Sequence, residues 1–325
     1  MIERAENSEA NMFECVKKMR PDIYLGSIGF RAFKWQLTVV NCKSKRIILL
    51  CSRQAGKSTI VSSIPCHTAK YHEGSLNIVI APTEDQAKED ILKIKDFIAH
   101  DPTYPELKRD GSDVIALDNG SRIIVVVATD RSARGYSKPR TVVLDEASRI
   151  PDVVYKSGVV PMMNHNPQGK IYMLSTPFGK SGFFYNTWTR DSKTWTKIFA
   201  RTPYDVDPMD SMNLIDAEPE EEFSRRCAAQ GIIGLYSPNH ANREEQLAIL
   251  EEVGETQYQQ EFCCDFVEME GQVFRDADLA RYFAAKGTPF ESAMTIDEKT
   301  KNVRIRGEET VAPMVMQKVV GGRYF

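Results

Sequence analysis

No run of apolar residues in this 325-residue chain approaches the roughly 18 needed to cross a bilayer, so the sequence predicts no transmembrane helix. Its first ten residues, MIERAENSEA, lack the basic and apolar regions of a secretory signal. The seven cysteines form no CxxC pair and no even framework, which argues against a disulfide scaffold and predicts a reducing, cytosolic setting. Internal repeats and low-complexity tracts are missing as well. Net charge is only -3, so the chain as a whole exerts no pull on nucleic acid, and such a partner has to be held by a local basic patch. Candidate cations for that patch are Lys43, Lys45, Arg46, Arg131, Lys138 and Arg140. What is there, 42% hydrophobic and 27% charged residues, is the composition of a soluble globular protein with room for an α/β core and one smaller appendage.

One glycine is missing too. The stretch IILLCSRQAGKSTI (Ile47–Ile60) runs from four apolar residues into a loop ending Gly-Lys-Ser-Thr, but Cys51 stands where the phosphate-binding pattern G-x-x-x-x-G-K-[ST] has its first glycine. In such a loop the backbone N–H groups and a helix N-terminus surround phosphates, a lysine reaches the β and γ phosphates, and a hydroxyl holds magnesium. Those roles fall to the backbone from Arg53 to Ser58, to Lys57 and to Ser58, with Gly56 as the close-approach glycine. A bare GKS recurs by chance. Its position directly after a strand-like run favours the functional reading.

From about Lys43 to Leu174, five β-branched runs (RIILLC, LNIVIA, RIIVVVA, TVVLDEA, KIYMLST) have strand length and the near-continuous apolarity of strands buried on both faces of a parallel sheet. TEDQAKEDILKIKDFIAH, between the second and third, predicts a helix with a Thr83/Gln86 capping box and an apolar face of Ile91, Ile94, Phe97 and Ile98. Strands joined by helices imply a doubly wound α/β domain with its ligand beyond the carboxyl ends of the strands. After Arg201 the texture turns acidic and punctuated. Two short helices are predicted there: PEEEFSRRCAAQ, with Pro219 at its start and Gly231 at its exit, and NREEQLAILEEVG, with Asn242 as N-cap and Gly254 as stop.

The second chemical element is TVVLDEAS. An apolar strand ending in Asp145 puts a carboxylate beside a metal, and Glu146 is placed to polarise an attacking water. The third is KIYMLSTPFGKSG, whose Ser175 and Thr176 fall at the same sheet edge, either to sense the γ-phosphate or simply to turn the chain with Pro177. Trp35 and Gln36, in FRAFKWQLTVV, offer an aromatic to stack on adenine and an amide to read its edge, or else a buried tryptophan beside a solvated glutamine.

Taken together these motifs resemble tailed-bacteriophage terminase large subunits. The loop Cys51-Ser52-Arg53-Gln54-Ala55-Gly56-Lys57-Ser58-Thr59 is similar to that family's S-R-Q-x-G-K-[ST] variant, which accounts for the absent glycine. The family's adenine motif is matched by Trp35 and Gln36, its Arg-Gly before the acidic strand by Arg134 and Gly135, its DE pair by Asp145 and Glu146, and its coupling motif by Ser175–Pro177. QYQQEFCCDFVEMEGQVF (Gln257–Phe274) is similar to the segment leading out of the family's ATPase. The resemblance covers about residues 20 to 275.

The resemblance implies a P-loop NTPase of the ASCE type, with a mainly parallel sheet flanked by helices and a small helical lid subdomain. The expected division is an N-terminal arm (1–30), an ATPase core (31–200), a helical lid (201–270), and a linker with the start of a nuclease domain (271–325). It implies a packaging motor that uses ATP and Mg2+ to pump double-stranded DNA into a procapsid in the infected host's cytoplasm. The motor acts as a ring of copies on the portal protein, with a small terminase subunit as a further partner. Glu146 is the expected base, Lys57 and either Arg134 or Arg53 stabilise the transferred phosphoryl, Ser58 and Asp145 hold the metal, and Ser52 to Thr59, Trp35, Gln36, Ser175 and Thr176 line the nucleotide. Full family members continue into a two-metal nuclease. Because Asp276, Asp278 and Asp297 close no buried strand, the expectation for this chain is ATPase activity without DNA cleavage. A helicase-like translocase and a non-hydrolysing, nucleotide-gated assembly module stay open as alternatives.

Overall fold

The computed structural model describes residues 2–129, 135–164 and 166–267, with side chains from residue 11 onward, and the backbone of two short strands further on. The chain divides into two compact units, Met1–Met269 and Glu270–Phe325. No helix among the described residues is long and apolar enough to cross a membrane.

In the first unit, three helices come first: α1 (Ile2–Met19), α2 (Pro21–Ser27) and α3 (Lys34–Asn41). Then follow β1 (Arg46–Cys51), α4 (Lys57–Tyr71), β2 (Leu76–Ala81), α5 (Glu84–Ala99), β3 (Leu107–Asp110), β4 (Val114–Leu117), β5 (Arg122–Val127), β6 (Thr141–Asp145), α6 (Val160–Met163), β7 (Lys170–Ser175) and α7 (Gly182–Thr189). Beyond these lie β8 (Thr196–Arg201), the hairpin β9 (Tyr204–Asp207) and β10 (Asp210–Asp216), α8 (Glu220–Ala229), β11 (Ile232–Tyr236), α9 (Arg243–Val253) and α10 (Glu255–Tyr258). In the second unit β12 (Met294–Ile296) pairs antiparallel with β13 (Val303–Ile305). Asp276, Asp278, Asp297 and the final GGRYF lie outside the described residues.

Nine strands form one sheet in the order β11-β8-β1-β7-β6-β2-β5-β4-β3, parallel except for the antiparallel β3 and β4 at one edge. The five strands read from the sequence are β1, β2, β5, β6 and β7. Their continuous apolarity has the predicted cause, because alternate residues enter two different cores. On β1, Ile47, Leu49 and Cys51 join the core under α4 and α5, while Ile48 and Leu50 join the core that includes Val154, Met162 and Phe184. Each such side chain taken fully from water contributes about 1.5–3 kcal/mol. Polar substitution on either face therefore meets a core.

The predicted helix after β2 is α5, with Ile91, Ile94, Phe97 and Ile98 buried. Its capping box is only half formed. Thr83 Oγ1 accepts from the Gln86 N–H at 3.2 Å, but the Gln86 side chain turns away from the N-terminus toward two buried carboxylates described below. After Arg201 both predicted helices are present as α8 and α9, the latter capped by Asn242 and followed by Gly254 at φ +78°. The acidic stretch ahead of them, which gave no strand signal in the sequence, folds as the β9–β10 hairpin, and β11 adds to the main sheet beside β8.

Candidate nucleotide site

Strand order places the functional segments together. β7 lies between β1 and β6, so the loop after β1, the acidic pair after β6 and the Ser-Thr-Pro turn after β7 emerge side by side at the carboxyl edge. Insertion of a strand between the loop-bearing strand and the acidic strand defines the ASCE arrangement of P-loop NTPases.

Within the loop, Cys51 is the last residue of β1 and is fully buried, its thiol pushed up to about 12 by burial. It packs into the core as a small apolar group, and no left-handed backbone is needed where the usual glycine would stand. Gly56 is different. Its φ is +96°, and a Cβ there would come 3.0 Å from the Gln36 amide nitrogen. Gln54, at φ +59°, is a non-glycine residue held in the same left-handed region, the kind of strain that persists only where surrounding contacts fix it.

Those contacts come from both sides of the loop. Gln36 Nε2 donates to the Gly56 carbonyl at 2.9 Å, and its Oε1 accepts from the Phe33 N–H at 2.8 Å. Asn239 Nδ2 donates to the Gln54 carbonyl at 3.0 Å, the Arg53 N–H donates to the Glu261 carbonyl at 2.7 Å, and the Ser52 N–H donates to Ala200 O at 2.9 Å. Segments far apart in sequence thus hold the loop open as the N-terminal cradle of α4. Ala55 is buried beneath it, while the Ser58 and Thr59 positions open the helix's first turn, half-exposed.

Lys57 stands between two acids. Its Nζ is 3.4 Å from Asp145 Oδ1 and hydrogen-bonds to Glu146 Oε1. Burial alone would lower the Lys57 pKa, but Asp145 and Glu146 outweigh it and hold the ammonium well above its ordinary value. Asp145 is itself fully buried, which pushes its carboxyl up against the opposing pull of Lys57. Glu146 adopts φ +46°, a second strained residue at the site. Ser175 Oγ donates to Glu146 Oε2 at 3.3 Å, accepts from the Ser148 N–H at 3.2 Å and lies 2.6 Å from Ser148 Oγ, whose hydroxyl also donates to the Thr176 carbonyl at 2.9 Å. The Ser-Thr turn is therefore wired to the acidic pair.

Two sequence expectations change. Trp35 is fully buried in the core, so its ring offers no open face for a base to stack on in this conformation. Gln36, also buried, spends both ends of its amide on the α3 N-terminus and the loop, which makes it a brace rather than a solvated reader. Arg134 lies outside the described residues. Arg53 is 60% exposed, 3.8 Å from the buried Glu261 carboxylate.

Several residues escaped the sequence reading. Gln86 Nε2 donates to Asp145 Oδ2 at 3.1 Å and lies 3.4 Å from Asp90 Oδ1, and burial together with Asp145 pushes Asp90 up to about 8. Asp90 shares the buried face of α5 with Ile94 and Phe97, and a charged residue inside an apolar stripe was the available signal. Glu261 receives Arg149 Nη2 at 3.6 Å as well as Arg53, and Arg149 also sits over the Phe178 ring at 4.3 Å. Nothing local marked these long-range partners.

The fold and these residues define a P-loop NTPase domain, and comparison with known proteins narrows the class. The family described as "Terminase large subunit, T4likevirus-type, N-terminal" matches residues 48–281, and the chain belongs to it. The terminase large subunit of Thermus virus P23-45 is 27% identical over 189 residues, covering 52% of this chain and 39% of that protein. The chain thus matches well under half the length of its curated relatives. Among solved structures, the large terminase ATPase domain of Thermus phage P74-26 superposes with a TM-score of 0.53 at 21% identity, covering 76% of this chain and 98% of that one. The large terminase of bacteriophage HK97 gives 0.52 at 12% identity, covering 72% and 50%.

Proposed function

We propose that this chain is the ATPase part of a viral DNA-packaging terminase, hydrolysing ATP to move double-stranded DNA into a procapsid. The observation that carries the reading is the position of Lys57, at the mouth of a braced loop, between Asp145 and a strained Glu146 that touches Ser175. A triphosphate entering the cradle offers Lys57 a stronger anionic partner. Its departure from Glu146 frees that carboxylate to accept a proton from the attacking water, while Lys57 and the loop amides stabilise charge on the transferred phosphoryl. Ser175 then reports the change at Glu146 to the turn after β7.

The donors suit magnesium, a hard cation that takes oxygen ligands. Asp145 Oδ1 is buried with the Lys57 ammonium at 3.4 Å as its ion-pair partner and no hydrogen bond, and Ser58 supplies a hydroxyl. Among the described residues no cluster of three or more His, Cys, Asp or Glu could hold a metal alone, and Asp145 and Ser58 are the residues that would hold a magnesium ion arriving with the nucleotide. When bound it neutralises charge on the β and γ phosphates. Arg134 remains the trans-acting finger of this proposal and Arg53 the cis alternative, in a ring of copies docked on a portal with a small subunit as partner. The arm (1–30), core (31–200), lid (201–270) and following segment (271–325) are its working parts.

Steady-state ATP hydrolysis with and without double-stranded DNA, on wild type and Arg134→Ala mixed in varying ratios, tests the reading. Stimulation by DNA and non-linear rescue on mixing are expected. Stoichiometric retention of unhydrolysed ATP under all conditions would replace the motor by a nucleotide-gated assembly module.

A further inference from the structure

At the opposite edge of the sheet, about 20 Å from the loop by strand length, the chain builds a second polar site. A cavity of about 320 Å3 opens among the C-terminal end of α1, the start of β7, the residue before β6 and the last turn of α4. Lys18, Lys43, Arg140, Lys170, His67 and His72 line it, and among the described residues no acidic side chain does. None of the four permanent cations has a carboxylate partner among the described residues. Glu14 and Glu73 face an adjoining groove that Lys18, His72 and Arg140 also line, and Glu14 is taken by Lys17 at 2.7 Å and Tyr71 at 3.0 Å.

Three of the four, Lys43, Arg140 and Lys170, are tied by hydrogen bonds, while Lys18 is exposed. Lys170 Nζ donates to Cys42 O at 2.8 Å, Lys43 Nζ to Met19 O at 3.2 Å, and Arg140 to Gln168 Oε1 and to His72 Nδ1 at 3.2 Å. Each uses only part of its donor set on these partners, leaving N–H groups over for a ligand. His67, nine-tenths buried, is fixed by Lys17 O at 3.0 Å. The inner wall is apolar, formed by Leu25, Val40 and Tyr172. The field inside is positive enough to register on its neighbours. Burial first, then Arg140 and Lys18, hold His72 down at about 4, and burial with Lys43 and Arg140 lowers Lys170.

Collecting like charges in a half-buried space is unfavourable unless an anion satisfies them. We infer that this cavity binds a phosphate monoester, with the phosphate among Lys43, Arg140, Lys170 and Lys18 and the organic part against Leu25, Val40 and Tyr172. Arg140 supplies forked donors suited to phosphate, and the lysines act as point charges. The ester is either a free small molecule or the terminal phosphate of a nucleic-acid strand. Both present the same dianion. The site stands apart from the nucleotide loop and does not depend on the function proposed for it.

The test uses the full chain carrying Lys57→Ala, so that the loop does not compete. Inorganic phosphate, thymidine 5′-monophosphate, and a short duplex with or without a 5′-phosphate are titrated while the imidazole resonances of His67 and His72 are followed. Expected is a saturable shift with thymidine monophosphate, weakened at least about tenfold by Lys43→Gln with Arg140→Gln, as loss of charge-assisted hydrogen bonds implies, and weakened less by Arg140→Lys, which keeps the charge and loses the fork. A shift with the phosphorylated duplex but not its unphosphorylated twin assigns a strand end; a shift with the mononucleotide alone assigns a small ester. Equal shifts with both duplexes, or none with any phosphate probe on the parent protein, overturn the assignment. Should the double variant fail to fold, the parent's titrations decide.

Discussion

Cys51 shows how one side chain answers the question its position raises. The first glycine of a phosphate-binding loop matters where the backbone must turn left-handed; here that demand falls on Gln54 and Gly56, and residue 51 still belongs to a buried strand. Cys51→Gly should therefore gain nothing in nucleotide affinity. It should cost about 1 kcal/mol or more of stability, from strand flexibility and a lost buried group, read as a lower Tm. Glu146 carries the opposite kind of demand, accepting strain at φ +46° so that its carboxylate meets both Lys57 and Ser175. Glu146→Gln should bind ATP yet hydrolyse it at least about a hundredfold slower, within the range for loss of a general base. Turnover near wild type in a phosphate-release assay would remove Glu146 from that role.

Among the elements, α5 does more than cover the sheet. Its first turn sends Gln86 to the Asp145 carboxylate instead of completing its own cap, so the helix sets the orientation of the acid at the end of β6. Gln86→Ala should leave the helix nearly intact and loosen Asp145, raising the Mg2+ concentration needed for half-maximal hydrolysis while ATP binding without metal is unchanged. Helix α4 supplies a pH signature. Burial holds His67 neutral, down at about 4 against an ordinary 6.5, so between those values the unfolded chain binds more protons than the folded one. Stability is then constant above about pH 6.5 and falls as pH drops toward 4, by up to about 1.4 kcal/mol per unit from this group. His67→Gln should reduce that slope in denaturation curves taken at several pH values.

What was legible in the sequence follows from range. The five central strands and α5 were readable because burial on two faces and on one face leave different periodicities. Lys57, Gly56, Asp145, Glu146 and Ser175 were readable because strand ends in such a sheet converge, and the structure does bring them together. The β9–β10 hairpin was hidden by its acidic, mostly solvent-facing residues, only Leu214 of β10 being buried. Asn239, Glu261 and Gln86 were hidden because each acts through a partner distant in sequence, Asn239 from 185 residues away. Trp35 falls on the second of the two readings its sequence left open, a buried tryptophan, since its aromatic surface serves the core.

At the scale of the whole molecule, the unit from Met1 to Met269 brings the end of β8, Asn239 and the helical turn at Gln259–Cys263 against the same loop that α3 braces from the other side. The loop is thus clamped between segments that precede and follow the central strands. A nucleotide that alters the loop's shape necessarily pulls on Asn239 and Glu261. The central claim is that Lys57 trades its two acids for a triphosphate. A crystal structure with magnesium and a non-hydrolysable ATP analogue tests it most directly. Lys57 Nζ should have left Glu146 for the β and γ phosphates, with Glu146 turned toward an ordered water in line with the γ-phosphate. An analogue bound elsewhere, with Lys57 still paired to Glu146, would contradict the account.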